Sequence, residues 1–167
     1  MQVATDTSSN IPEVRFLDGQ CVVLATYQGE CTVATLLDRL RNRLGSIGGS
    51  ISYQNFTQDA EKSGEFETVL KFAFFPTASQ ENPIPHEVAL EALRRSLVRP
   101  VALPEIVPLA RRDRPHQRPI IALAQTSNLH GWPDAPFLDS GEEPHLRLYN
   151  VGLGFDNEWL IAVVEEK

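Results

Sequence analysis

The sequence predicts an α+β fold, with a single largely antiparallel sheet of about seven strands and two helices packed on one face. Short runs rich in β-branched and aromatic residues alternate with two segments of helical period. The strand-like runs come in pairs joined by turn residues, which is typical of antiparallel sheets. The 167 residues, 42% hydrophobic and 22% charged, have the size and composition of one folded domain. We expect a polar tail over residues 1–12 and one domain over 13–167.

The first three elements are predicted to be a hairpin and a helix. Val14–Leu17 and Gln20–Tyr27 are strand-like and meet at Asp18-Gly19, a pair suited to a tight hairpin turn. Thr32 is then a candidate N-cap, and Gly45 is a candidate stop. The apolar positions between them fall on one face of a helix: Val33, Leu36, Leu37, Leu40 and Leu44.

A second hairpin and a second helix follow. Ile51–Thr57 and Phe66–Phe75 are rich in β-branched and aromatic residues and flank a polar loop. Pro85 is a favoured first-turn residue, and we expect the helix that it opens to end before Pro100. Its apolar face is predicted to consist of Leu90, Leu93 and Leu97.

The C-terminal part is predicted to contain three strands, the first flanked by two long loops and the last two joined by a short turn. Ile120–Ala124 is short and continuously apolar, as in a central strand covered on both faces. His145–Leu153 and Glu158–Glu165 are predicted to form a terminal hairpin. Long loops are predicted over 99–119 and 126–144. We expect the helical leucines and the apolar residues of the central strand to share one core.

The charge of the chain is segregated. Residues 94–118 sum to +5, whereas the whole chain has a net charge of −7. All seven cations of this segment are arginines: Arg94, Arg95, Arg99, Arg111, Arg112, Arg114 and Arg118. The first three could complement the helix C-terminus while the others are solvated. The last four could form a cluster of guanidinium forks for a carboxylate-rich protein, a peptide or a phosphate-bearing ligand. Nucleic acid is a third candidate, disfavoured by a pI near 5.1 and by the lack of interleaved aromatic residues.

The segment 126–144 is the second candidate region, because long structureless connections in compact domains are usually binding loops or lids. A disordered loop would leave the apolar side chains of Trp132 and Phe137 exposed to water. We therefore expect both residues to hold the loop against the body of the protein or against a partner. An alternative is a small hydrolase-like or metal-assisted enzyme whose centre would be His130, Asp134, Asp139 and His145. The spacing matches neither HExxH nor an EF-hand, and a solvated acidic loop explains the same residues.

These observations favour a non-catalytic binding module or accessory protein that holds a protein, peptide or anionic ligand through its long loops. We expect no cofactor and no metal, and we interpret His86 as a packing or capping residue. No apolar run approaches the roughly 20 residues that cross a bilayer. The N-terminus lacks the features of a secretory signal, so a cytoplasmic location is expected. The residues expected to contact a partner are Arg111, Arg112, Arg114, Arg118, Trp132, Phe137, His130 and Asp134.

Overall fold

The computed structural model describes residues 11–27, 64–106, 108–109, 118–128, 131–139 and 145–166. In this part of the chain, eight strands form one mixed, mostly antiparallel sheet flanked by two helices, which confirms the predicted α+β class. The elements are β1 (Arg15–Phe16), β2 (Cys21–Tyr27), β3 (Gly64–Phe74), α1 (His86–Arg95), β4 (Val98–Pro100), α2 (Leu103–Ile106), β5 (Ile120–Ile121), β6 (Asp134–Leu138), β7 (Leu146–Asn150) and β8 (Leu160–Glu165).

Strand β8 lies at the centre of the sheet. The order is β1-β3-β8-β5-β6-β7, with β2 paired to β3 and β4 paired to β8. Strand β8 is antiparallel to β3 and β4 and parallel to β5. Ile120 and Ile121 of β5 are fully buried between β8 and β6, so the prediction of a central strand covered on both faces is confirmed.

The predicted N-terminal hairpin is wrong, although both of its strands exist. Strands β1 and β2 each pair with β3, in the registers Arg15↔Phe74 and Cys21↔Leu70. Between these two ladders the first strand pair has four residues, 17–20, whereas β3 has only two. Leu17 N–H donates to Phe72 O at 2.9 Å. The Asp18-Gly19 pair, with Gly19 at φ +92°, forms a bulge instead of a hairpin turn. The reason is the length of β3, whose 11 residues accommodate both partners.

The predicted terminal hairpin is also wrong. Strand β7 pairs with β6, and β8 pairs with β3, β4 and β5. Leu160–Val163 are buried on both faces of the sheet. A strand with two buried faces is stabilised most at the centre of a sheet. Strand β8 therefore pairs with β3, β4 and β5 in the interior and does not pair with β7, its neighbour in the sequence.

The two segments predicted as long loops contain regular structure. Residues 126–144 include β6, and residues 99–119 include the end of β4 and all of α2. Asp134 and Pro136 indicate a loop locally, yet Ala135 and Leu138 are buried in a strand. Proline has no backbone N–H to donate to a neighbouring strand. Pro136 is tolerated because β5, which lies on that side of β6, spans only two residues, and because the Pro136 carbonyl still accepts from Ala122 N–H at 3.0 Å.

The sheet separates two apolar cores. Alternate residues of one strand belong to different cores: Ile120 to one, Ile121 to the other. We call the first the α2 face, since α2 packs there with Leu103 and Ile106. The second is the α1 face, where Leu93 packs. The helical and strand residues predicted to share one core are therefore divided between two.

Helix α1 ends earlier than its apolar pattern predicts. Ser96 is the C-cap, and Leu97 has φ +60° with 70% of its surface exposed. Leu97 thus lies outside the predicted apolar face, because the helix stops two residues before it. Leu97 N–H donates to Arg94 O, and Leu97 O accepts from Glu166 N–H, so its backbone is fixed at the end of β8.

The predicted helix over Val33–Leu44 and the predicted strand Ile51–Thr57 lie outside the described residues. No helix in the described part of the chain is long and apolar enough to span a membrane.

Candidate functional site

The arginines at the end of α1 contact an acid of the same helix. Arg94 donates to both carboxylate oxygens of Glu91 at 2.9 and 2.6 Å, and Arg95 donates to one of them at 3.0 Å. These hydrogen bonds, chiefly that of Arg94, hold the pKa of Glu91 at about 2. Both guanidinium groups therefore serve an internal contact on the helix surface.

Arg99 joins β4 to α2. Its two terminal nitrogens each lie 3.1 Å from an oxygen of Glu105, whose side chain is only 3% exposed against 37% for Arg99. The same carboxylate accepts from Ala102 N–H at 3.1 Å. This bidentate pair satisfies a buried charge and fixes the first turn of α2.

Arg118 is held by the backbone of another connection. Its Nε donates to Glu158 O at 3.0 Å, and its Nη2 donates to Asn157 O. The guanidinium carbon lies 5.1 Å from the ring centroid of Phe74, within cation–π range. Arg118 thus ties the start of β5 to the connection before β8. Arg111, Arg112 and Arg114, the other predicted contact arginines, lie outside the described residues.

Of the residues proposed for the alternative catalytic centre, the structure brings Asp139 and His145 into contact and places Asp134 apart from them. Asp134 is buried at the start of β6, whereas Asp139 follows its end, about 16 Å away at the rise of a strand. Asp139 Oδ1 accepts from His145 N–H at 2.9 Å, and Oδ2 lies 3.4 Å from Arg147 Nε. His130 lies outside the described residues. Within those residues no group of three potential ligands could hold a metal ion.

Four aromatic rings pack together on the α1 face. They belong to Phe137, Tyr149, Phe155 and Trp159, with the centroids of Tyr149 and Trp159 4.2 Å apart. Phe137, predicted to contact a partner, lies half-buried in this cluster, 5.1 Å from Trp159. Burial, and to a smaller extent the charge of Asp156, raises the pKa of Tyr149. Its hydroxyl donates to Gly154 O, so the cluster is attached to the turn that precedes Phe155.

Two large apolar side chains are exposed at the same end of the β6–β7 pair, near the start of β6 and after the end of β7. Trp132 has 47% of its surface exposed, and Leu153 has 63%. Val151 N–H donates to Pro133 O at 3.0 Å, which extends the β6–β7 ladder and places Trp132 level with Gly152. We call these two residues the apolar rim. Trp132 was predicted from its residue type to contact a partner, whereas Leu153 was not. The only signal for Leu153 was its position as a large leucine between two glycines, Gly152 and Gly154.

The turn beside the apolar rim is held to the start of α1. Ile84 and Phe155 exchange two backbone hydrogen bonds of 2.8 and 2.9 Å, which we call the clamp. The His86 ring lies edge-on to Phe155, with centroids 6.5 Å apart, in agreement with its interpretation as a packing residue. Its Nε2 is inaccessible to solvent and lacks a hydrogen-bond partner in the described structure. Burial lowers the pKa of His86, and the carboxylate of Glu87 opposes this shift.

Comparisons with protein-family models, with curated proteins and with solved structures gave no match to this chain.

Proposed function

We propose that this protein is a non-catalytic binding module that holds a protein or peptide partner against the apolar rim. The observation that carries the proposal is the exposure of Trp132 and Leu153 at the same end of the β6–β7 pair, where the backbone of Trp132 lies level with Gly152. Scattered apolar residues are normal on a protein surface, but grouped ones are typical of interaction sites. Tryptophan is also enriched among the residues that contribute most to binding.

Backbone contacts on both sides of the apolar rim support the proposal. On the Trp132 side, Gly131 adopts φ +85° and its N–H donates to Asn128 O at 3.0 Å. On the Leu153 side, Asn150 Oδ1 accepts from Gly152 N–H at 2.9 Å and begins a 3-10 turn. A surface ordered before binding loses less conformational entropy when a partner docks.

The proposal differs from the sequence-based hypothesis in which residues contact the partner. Phe137 supports the surface from the aromatic cluster, and the buried Asp134 lies behind it. Arg118 stabilises the fold through two carbonyls. Trp132 remains the chief expected contact, and Leu153 joins it.

The test is site-specific crosslinking followed by affinity measurement. A photoreactive amino acid at position 153 identifies the partner, and the same group at Val22 is the control, since Val22 is 43% exposed on distant β2. With that partner purified, Trp132→Ala should weaken binding by a factor of about 30, equivalent to about 2 kcal/mol. Val22→Ala should leave the affinity unchanged. If the two substitutions change the affinity equally and leave the melting temperature unaltered, the apolar rim is not the binding surface.

A salt titration distinguishes this surface from the arginine segment. Association through an apolar surface should change little between about 0.05 and 0.5 M salt, because screening acts on charges. If the arginine segment binds instead, Arg112→Glu with Arg114→Glu should abolish binding, and salt should weaken it steeply. That outcome would mean that the arginine segment, and not the apolar rim, binds the ligand, and that the ligand is anionic.

A further inference from the structure

We infer that protonation of His86 opens the clamp between Ile84 and Phe155 and disorders the adjoining turn, so that partner binding at the apolar rim weakens in acid. The inference rests on the proposed function, since it concerns regulation of that surface. The opening of the clamp itself is measurable without a partner.

The clamp tolerates little displacement. A Cβ built on Gly154 would lie 2.8 Å from Ile84 O and 3.0 Å from Pro83 Cβ. The two backbones therefore approach as closely as glycine allows. Both hydrogen bonds of the clamp depend on this approach, so a change at the start of α1 is transmitted to the turn that carries Leu153.

His86 lies at this point of closest approach. It is the first residue of α1, two residues after Ile84, and its ring packs on Phe155. A neutral imidazole tolerates an inaccessible Nε2 at the cost of one missing hydrogen bond. An imidazolium carries N–H donors on both nitrogens and a charge, so an inaccessible Nε2 without an acceptor is far more costly. The ring must then move towards water, and the movement separates α1 from Phe155.

The charged groups near His86 do not supply an acceptor for Nε2. Glu87 follows on the same helix and is exposed. Across the clamp, Asp156 follows Phe155, and its Oδ1 accepts from Glu158 N–H at 2.9 Å. The phenol of Tyr149 already donates to Gly154 O. Burial, which lowers the pKa of His86, outweighs Glu87, which raises it.

The sign of the pH effect follows from this lowered pKa. The clamp is fully stabilised above about pH 6.5, the ordinary value for histidine, and loses stability as the pH falls towards the lower pKa of the closed form. In that window the open form binds more protons than the closed form.

The experiment is hydrogen exchange by NMR at pH 7.5 and 5.0, corrected for intrinsic exchange rates. Acid should reduce protection of the Ile84 and Phe155 amides by up to about tenfold for each unit by which the pKa of His86 is lowered. The Ala122 amide, bonded to Pro136 O, reports global opening and should keep its protection. His86→Phe retains an aromatic ring and should remove the pH dependence. His145→Gln is the matched control and should retain it.

Two outcomes overturn the opening of the clamp by His86. One is that the exchange of the Ile84 and Phe155 amides has the same pH dependence in the parent and in His86→Phe. If the phenylalanine variant does not fold, the same comparison is made with His86→Gln. The other is a parallel loss of protection at Ala122, which would mean global unfolding. Partner affinity is then measured at both pH values. If clamp exchange responds to His86 while affinity does not, the clamp opens but the apolar rim is not the binding surface, so the failure belongs to the proposed function.

Discussion

The two faces of the sheet are stabilised in different ways. On the α2 face, a mainly aliphatic core that also includes Phe72 packs with α2, and the neighbouring turn is fixed by the buried carboxylate of Glu105 and the fork of Arg99. On the α1 face, aromatic rings and a close backbone contact at Gly154 position the helix. The first face ends in an internal ion pair, whereas on the second the turn after β7 packs near α1 through the buried Val151 and carries the exposed Leu153. A part of the proposed partner surface therefore depends on the packing of the α1 face.

The largest expected effect tests the ion pair of the α2 face. Glu105→Ala should lower the free energy of unfolding by about 3 kcal/mol, because Arg99 and Ala102 N–H lose their acceptor. Chemical denaturation measures it. Glu91→Ala is the matched control on α1. It removes exposed pairs with Arg94 and Arg95 and should leave stability nearly unchanged, because solvent screens surface ion pairs. Similar losses in the two variants would mean that the buried pair contributes no more than surface charge does.

The second effect tests the close contact of the α1 face. Gly154→Ala should cost about 2 kcal/mol, because φ +76° is strained for alanine and the added Cβ collides with Ile84 O. Gly131→Ala separates the two causes. Gly131 has φ +85°, but a Cβ added there would meet no atom within 4 Å, so only the strain of about 1 kcal/mol remains. Equal melting temperatures of the two variants would contradict a role for the close contact.

The smallest effect is a gain of stability at the other end of α1. Leu97→Gly should stabilise the fold by about 0.5 kcal/mol, since relief of the left-handed strain exceeds the entropy that glycine adds to the unfolded chain. Leu153→Gly is the control, because Leu153 is similarly exposed but lies in a 3-10 turn without a positive φ. That control should lose stability. If thermal unfolding shows that both variants are less stable than the parent, Leu97 makes a stabilising contact.

Individual elements were predictable from the sequence where their signal is local. The strand Phe66–Phe75 and the helix after Pro85 appear close to their predicted bounds, since β-branched and aromatic content and helical periodicity act over a few residues. Pairing was not predictable in the same way. Asp18-Gly19 favours a turn locally, yet the partner of both flanking strands is β3, more than 40 residues further along the chain.

The candidate site was predictable only in part for a related reason. Trp132 was selected as a large aromatic residue in a polar segment, and it is exposed. Phe137 was expected to hold the segment down and to contact a partner. It packs against Tyr149 and Trp159, which are brought to it by strand pairing and by the connection before β8 and which no local pattern indicated. Leu153 was not selected because its exposure depends on the turn between β7 and Phe155.

The sequence by itself determined the α+β class, an apolar central strand, predicted over Ile120–Ala124 and formed over Ile120–Ile121, and the amphipathic helix α1. Composition and periodicity encode these features because burial is set residue by residue. Only the tertiary structure decided that β8 lies at the centre of the sheet, that the core divides into two, and that Trp132 and Leu153 are exposed at the same end of the β6–β7 pair. These features depend on which strands pair across long sequence separations. Pairing is set by the total burial of the folded chain, so no local pattern specifies it.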